Sequence, residues 1–320
     1  MSEQTTIERG QPSSAMIARS APNPMTSDIT RRILVPTDGS RAAGAALRIA
    51  AQLAARSTGV VAGMTVFEAL PVYATGFVMD ASAWATDPTL TDSAVDRIKR
   101  QLRGVGGEKW DLRVEFGSPA SEIVRLTQAT GTTLVVIGLG KHAPLARAFG
   151  AETTMRVMRH ADVPVLAVDR RARRLPHVAV VAADLGPSDV KVARTALALM
   201  ERPAVLHLVH VRPEIELMPP SALGWDRAYE QTALQALEKI GAQIEAADVT
   251  VKPRVVAGTV AQRITGFAYS HRVGLIAAGR HSRGAMARLL MGSSATQIVR
   301  AADCSVLIVP PIGEQESKGS

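Results

Sequence analysis

The sequence predicts an α/β protein of two doubly wound, five-stranded parallel-sheet domains arranged as a tandem pseudodimer. Three observations predict it: the chain repeats itself, short apolar runs alternate with helical patterns inside each copy, and an aspartate ends the first apolar run of both. The stretch GSPASEIVRLTQATGTTLVVIGLG from Gly117 aligns without a gap to GTVAQRITGFAYSHRVGLIAAGRH from Gly258, an offset of 141 residues. The same offset pairs Val165-Leu166 with Val306-Leu307 near the ends of the copies. Upstream, RRILVPTDGS and HVAVVAADLG pair Asp38 with Asp184 at an offset of 146, so the copies differ in length only in the middle, with five additional residues expected in the second.

The elements follow in order. In copy one the apolar runs predict strands at 32–37, 59–66, 111–116, 133–138 and 164–168; in copy two they predict strands near 178–183, 204–211, 250–256, 273–278 and 305–309. After Asp38 the alanine-rich SRAAGAALRIAAQLAARST reads as a helix with Leu47, Ala50, Ala51 and Ala54 on one face, able to pack closely on a sheet. Ser118 with Pro119 and Glu122 reads as an N-cap with proline in the first turn. In copy two, YEQTALQALEKIGAQIEAA places Leu234, Leu237, Ile240 and Ile244 at helical spacing. The domain reading is a disordered polar tail over 1–29, a first domain over 30–169, a basic linker over 170–175, a second domain over 176–311 and a second tail over 312–320. Met25 stands just before the first strand as an alternative start to Met1.

Composition narrows the class. A chain of 320 residues with 47% hydrophobic content supports two ordinary cores. No run of eighteen apolar residues occurs, which argues against a membrane-spanning helix, and the N-terminus lacks the apolar core of a secretory signal. The single cysteine, Cys304, excludes an intrachain disulfide and fits a reducing cytoplasm. A net charge of +8 permits nucleic-acid binding, yet aromatic residues make up only 3% of the chain, so stacking platforms are lacking. Nucleic acid is therefore not the expected partner, and the arginine run DRRARRLPH (169–177) reads as a solvated connector.

Phosphate chemistry has one good location. The strand at 273–278 leads into a segment of the form Gly279-x2-Ser282-x9-Gly292-Ser293, with Ser294 following and a helix behind it. Backbone N–H groups of such a segment, with the helix N-terminus, favour an anion; Ser293 and Ser294 add hydroxyls, or serve as the helix N-cap. In an open parallel sheet, Asp184 at the end of the first strand lies on the same carboxyl edge, either to accept from an adenine or ribose donor or to cap its helix. Histidines give no metal site: His207 and His210 are three apart on a strand and face opposite sides, while His142, His160, His177, His271 and His281 have no companions at ligand spacing. No nucleophile elbow, Walker-type loop or supported nucleophile and base pair is present.

The runs ILVPTDGS (33–40) and VPVLAV (163–168), with the Gly-x2-x-x9-Gly-Ser segment, resemble the universal stress protein family over roughly 30–169 and 176–311. That family is similar in fold to other adenine-nucleotide-binding α/β proteins of the adenine-nucleotide alpha-hydrolase type, and its ATP-binding members carry Gly-x2-Gly-x9-Gly-Ser/Thr. The resemblance implies adenine contacts from Asp184 or Asp38, and phosphate contacts from Gly279, Ser282, Gly292, Ser293 and Ser294, with Gly138 as the copy-one counterpart of Gly279. It implies ATP or ADP as ligand, with Mg2+ as its companion, and pairing between domains through the last strands, inside the chain or in a homodimer. Ser282 departs from the family's second glycine; copy one departs further, with Lys141, Ala151 and Glu152 at the matching positions. A carboxylate at Glu152 repels phosphate and suits a helix N-terminus by itself. Copy two is thus the expected nucleotide site and copy one a degenerate partner. Three function classes follow: a stress-response regulator that responds to nucleotide, a nucleotide-free scaffold, and a slow ATPase or phosphotransferase.

Overall fold

Ten of the apolar runs join one continuous sheet in a computed structural model of the chain, which describes residues 28–68, 72–74, 77–79, 88–140, 150–212, 225–280 and 291–311. Copy one runs β1 (Arg32–Pro36), α1 (Arg41–Ala55), β2 (Val60–Phe67), a short hairpin of β3 (Val72–Ala74) and β4 (Phe77–Met79), α2 (Pro88–Arg103), β5 (Asp111–Phe116), α3 (Pro119–Thr130), β6 (Leu134–Leu139), α4 (Ala151–His160) and β7 (Val165–Asp169). Copy two runs β8 (Val178–Ala183), α5 (Asp189–Ala198), β9 (Ala204–Arg212), α6 (Trp225–Ala242), β10 (Val249–Ala257), α7 (Val260–Ser270), β11 (Leu275–Gly279), α8 (Ser293–Ala301) and β12 (Ser305–Val309). The sheet order is β10-β9-β8-β11-β12-β7-β6-β1-β2-β5. Within this ten-stranded sheet every pairing inside a copy is parallel, and the two copies meet where β12 and β7 pair antiparallel; the separate β3–β4 hairpin is antiparallel.

That junction is symmetric in sequence as well as in space. Leu166 pairs with Leu307, its own counterpart in the repeat, flanked by Ala167 with Val306 and Val165 with Ile308. Both leucines are buried and face the same side of the sheet, in one core with α1 and α5. The opposite face holds a second core under α3, α4, α7 and α8. Each core takes residues from both copies, because the strands on either side of the junction are buried on both faces and read as unbroken apolar runs.

Several expectations change in detail. The five additional residues belong to copy one: 79 positions separate Asp38 from Gly117, against 74 between Asp184 and Gly258. The β3–β4 hairpin, absent from the sequence reading, lies in that longer middle. Helix α1 buries Ala43, Ala45, Ala46, Leu47, Ile49, Ala50 and Leu53, while Ala51 and Ala54 are half-buried at the margin. Helix α6 starts before Tyr229 and ends at Ala242, so Ile244 packs from the turn beyond it. The described residues begin at Asp28, and Ile29, assigned to the tail, packs on the core. The connector is not simply solvated: its arginines face outward or half-outward, but Leu175 is buried, and the Gln52 side chain donates to Arg173 O at 2.8 Å and accepts from Leu175 N at 3.3 Å. Met25 lies outside the described residues.

His207 and His210 do point to opposite faces of β9, and the fold gives each a different environment. His207 sits against Phe267 and His271, with ring centroids 5.0 and 5.5 Å away, and its buried Nδ1 has no partner. Burial, aided by the nearby charge of His271, Lys252 and Arg254, lowers its pKa from 6.5 to about 4. The folded state then binds fewer protons than the unfolded one between those values, so stability must fall as pH drops from 6.5 towards 4. Thermal midpoints measured across that window should show this slope, and His207→Phe should flatten it. At the junction, Leu307→Ala should destabilise by about 2–5 kcal/mol in chemical denaturation. Combining it with Leu166→Ala should give a coupling of about 0.5–3 kcal/mol, because directly paired side chains are not additive.

Candidate functional site

The carboxyl ends of β8, β9 and β11 open onto a cleft of about 500 Å³ that the N-terminus of α8 closes. Ligands on open parallel sheets bind at such an edge, and this volume falls in the usual range for small-molecule sites. Asp184, Gly279, Gly292, Ser293 and Ser294 all line this one cleft. Of the residues nominated for copy two, only Ser282 lies outside the described residues, as do Lys141, His142 and His281 elsewhere.

Sequence dictates how α8 presents itself. Gly292 is its N-cap, extended at φ −54° and ψ 147°, so Ser293 and Ser294 are its first helical residues rather than its cap. The first amides of a helix have no intrahelical acceptor, and they carry the positive end of the dipole. No acidic side chain occupies the first turn of α8. The corresponding turn of α4 differs. Its N-cap is Gly150 rather than the gap-free counterpart Ala151, and Glu152 stands in the first turn with Arg156 3.5 Å away. Copy one therefore brings its own anion to that helix end.

Asp184 shares its loop with a second carboxylate. Its Oδ1 accepts from Gly186 N at 3.0 Å, and a side chain at Gly186 would collide with that oxygen. Asp189, the first residue of α5, accepts from Gly186 N at 3.3 Å and from Asp184 N at 3.4 Å. Asp184 is thus not the cap of α5, whose N-cap is Ser188. Asp189 is 3% exposed, and burial together with the charge of Asp184 pushes its carboxyl up to about 7.

On the cleft's other wall His210 is fixed at both nitrogens. Its Nδ1 lies 2.9 Å from Ala183 O and its Nε2 lies 2.9 Å from Tyr229 Oη. A carbonyl only accepts, so Nδ1 carries a hydrogen and Nε2 of the neutral ring accepts from the tyrosine. Arg280, directly after Gly279, completes the lining. Asp189, His210, Tyr229 and Arg280 also line the cleft, without having been expected there from the sequence. Only Asp189 had a local signal, a second acid at the start of the helix after Asp184; the others depend on which elements the sheet brings together.

In copy one the nominated residues serve local structure. Asp38 Oδ1 accepts from Ser40 N at 2.9 Å, and Ser40 Oγ caps α1 by accepting from Ala43 N at 3.1 Å. Gly138 lies where α1 approaches the sheet: a Cβ there would stand 2.4 Å from the carbonyl carbon of Ala42. Gly138 is thus a close approach between strand and helix backbone that leaves no room for a side chain. Among the described residues no group of three or more His, Cys, Asp or Glu side chains is placed to hold a metal ion.

The raised Asp189 carboxyl carries a stability consequence with a fixed sign. The folded state keeps a proton that the unfolded state releases above the ordinary carboxyl value of 3.8, so the residue costs stability as pH rises from there to about 7. Asp189→Asn should therefore raise the thermal midpoint at pH 8 more than at pH 5, measured on the ligand-free protein.

Comparison with known proteins agrees with this architecture. The model of the universal stress protein family matches the chain twice, over residues 30–169 and 177–310. A universal stress protein of Mycobacterium tuberculosis is 26% identical over 220 residues, covering 66% of this chain and 73% of the relative. One from Mycolicibacterium smegmatis is 25% identical over 288 residues, covering 87% of this chain and 97% of the relative. In fold, a universal stress protein from Archaeoglobus fulgidus superposes with a TM-score of 0.61 at 16% identity, covering 89% of this chain and 98% of its own. A protein from Pseudomonas aeruginosa superposes with a TM-score of 0.60 at 19% identity, covering 90% of this chain and 95% of its own. With the family's model matched in both halves, the chain belongs to the universal stress protein family and carries two of its domains in one polypeptide.

Proposed function

We propose that copy two binds an adenine nucleotide, ATP or ADP, and that the chain acts as a stress-response regulator whose output is a change of conformation or partner. The observation that carries this is the convergence of Asp184, Gly279, Gly292, Ser293 and Ser294 on one cleft. Asp184 would accept from the adenine amine or a ribose hydroxyl. The unfilled first turn of α8 and the two serine hydroxyls would take the phosphates, and Mg2+ would travel with the phosphate oxygens. Copy one, with Glu152 at the equivalent helix end and Gly138 against α1, would serve as a partner domain without its own nucleotide. The single cysteine is in keeping with action in the cytoplasm.

A scaffold that uses no nucleotide is favoured by one observation, the β7–β12 pairing that satisfies inside one chain the contact two separate domains would otherwise make. In that case pairing itself would be the purpose. Heat denaturation of the purified protein, with mass spectrometry of what is released, separates the two, and calorimetry on the stripped protein gives the affinity. ATP or ADP should be released in up to one equivalent per chain. Gly292→Val and Asp184→Ala should each weaken binding by about tenfold or more, the loss of one good polar contact or of close backbone approach. Release of no nucleotide, together with no ATP binding to the stripped chain, would leave the scaffold standing.

A further inference from the structure

Arg280 joins the cleft of copy two to a helix of copy one. Its N–H donates to Val309 O at 2.8 Å, and its own carbonyl accepts from Gly292 N at 3.0 Å, the N-cap of α8. Its guanidinium crosses the junction between the copies, where Nη1 donates to Arg159 O at 3.0 Å and to Ala161 O at 2.5 Å. Those two carbonyls end α4, whose C-cap is Ala161. One residue thus holds the start of α8 through its main chain and the end of α4 through its side chain.

The contact is not ordinary surface packing. Arg280 is 6% exposed, and its Nε has no partner. A buried cation is costly unless compensated; here the negative end of the α4 dipole, its two carbonyls and the nearby charge of Asp162 compensate it, while burial lowers its pKa. The link runs one way. The repeat counterpart of Arg280 is Leu139, buried and without a donor to offer α8.

We propose that Arg280 is a positioning residue through which α4 of copy one holds the first turn of α8, so that the nucleotide site of copy two depends on the integrity of copy one. The statement about nucleotide rests on the function proposed above; the mechanical link between α4 and α8 does not. Copy one then contributes to the site by supplying a helix end, without binding a ligand itself.

The test uses the full chain and a perturbation confined to copy one. Arg156 lies on the exposed side of α4 and pairs only with Glu152 among the ion pairs described, so Arg156→Gly loosens that helix without touching copy two. Amide hydrogen exchange at Gly292 and Thr296, read by NMR, should accelerate about threefold or more in Arg156→Gly. Adding Arg156→Gly to an Arg280→Met chain should produce no further acceleration, and Arg280→Lys, which keeps a charged donor, should recover part of the wild-type response. Unchanged exchange at both amides in Arg156→Gly would overturn the link, as would an acceleration that persists undiminished in the Arg280→Met chain. In calorimetry with ATP, Arg156→Gly, which leaves the cleft lining intact, should bind about threefold or more weakly than wild type, and equal affinities would overturn the dependence of the site on copy one. Should the wild-type chain bind no ATP, the nucleotide function falls, and the exchange measurements still decide the link.

Discussion

The antiparallel pairing of β7 with β12 is the constraint on which the rest of this structure depends. It places Leu166 opposite its own repeat counterpart Leu307, and so sets a local two-fold relation between the copies. Once those strands are paired, the sheet becomes one body of ten strands with both faces covered, and neither core belongs to a single copy. A small buried contact thus decides where α4 and α8 lie relative to each other. That placement is what lets a residue at the mouth of one cleft reach a helix of the other half.

Symmetry at the junction does not extend to the chemistry at the two carboxyl edges. Both copies put an aspartate after the first strand and a helix N-terminus after the fourth, yet the helix ends differ in charge. In copy two that end is left to backbone amides and hydroxyls, an arrangement that favours an incoming anion. In copy one a resident carboxylate occupies the first turn, whereas the two aspartates behave alike, each accepting from the amide two residues on. The fold alone would suggest two equal sites; single residues at matched positions make them unequal.

Much of this was legible in the sequence, because its signals are local. Strand positions fall within two residues of the structure, since an apolar run bounded by Gly, Asp or Pro has little freedom to shift. The gap-free repeat fixed which strands correspond, and the shared carboxyl edge of an open parallel sheet grouped Asp184 with Gly279 and Gly292. What stayed hidden depends on contacts between distant segments. Nothing near Arg280 in the chain announces that its side chain will meet Ala161, 119 residues away. Likewise His210 acquires its place in the cleft only when α6 brings Tyr229 to its Nε2. The β3–β4 hairpin was missed because three-residue strands are too short to show a period.

The outermost strands of the sheet differ in character from the buried strands at its centre. Within the ten-stranded sheet, β5 and β10 are the edge strands. β10 carries Lys252, Pro253 and Arg254 in succession, and β5 alternates Asp111, Arg113 and Glu115. Proline removes a donor, and rows of charge on a rim resist the docking of a further strand. The junction between the copies is thus an interior seam, while the outer rims carry charge and a proline that disfavour the addition of a strand.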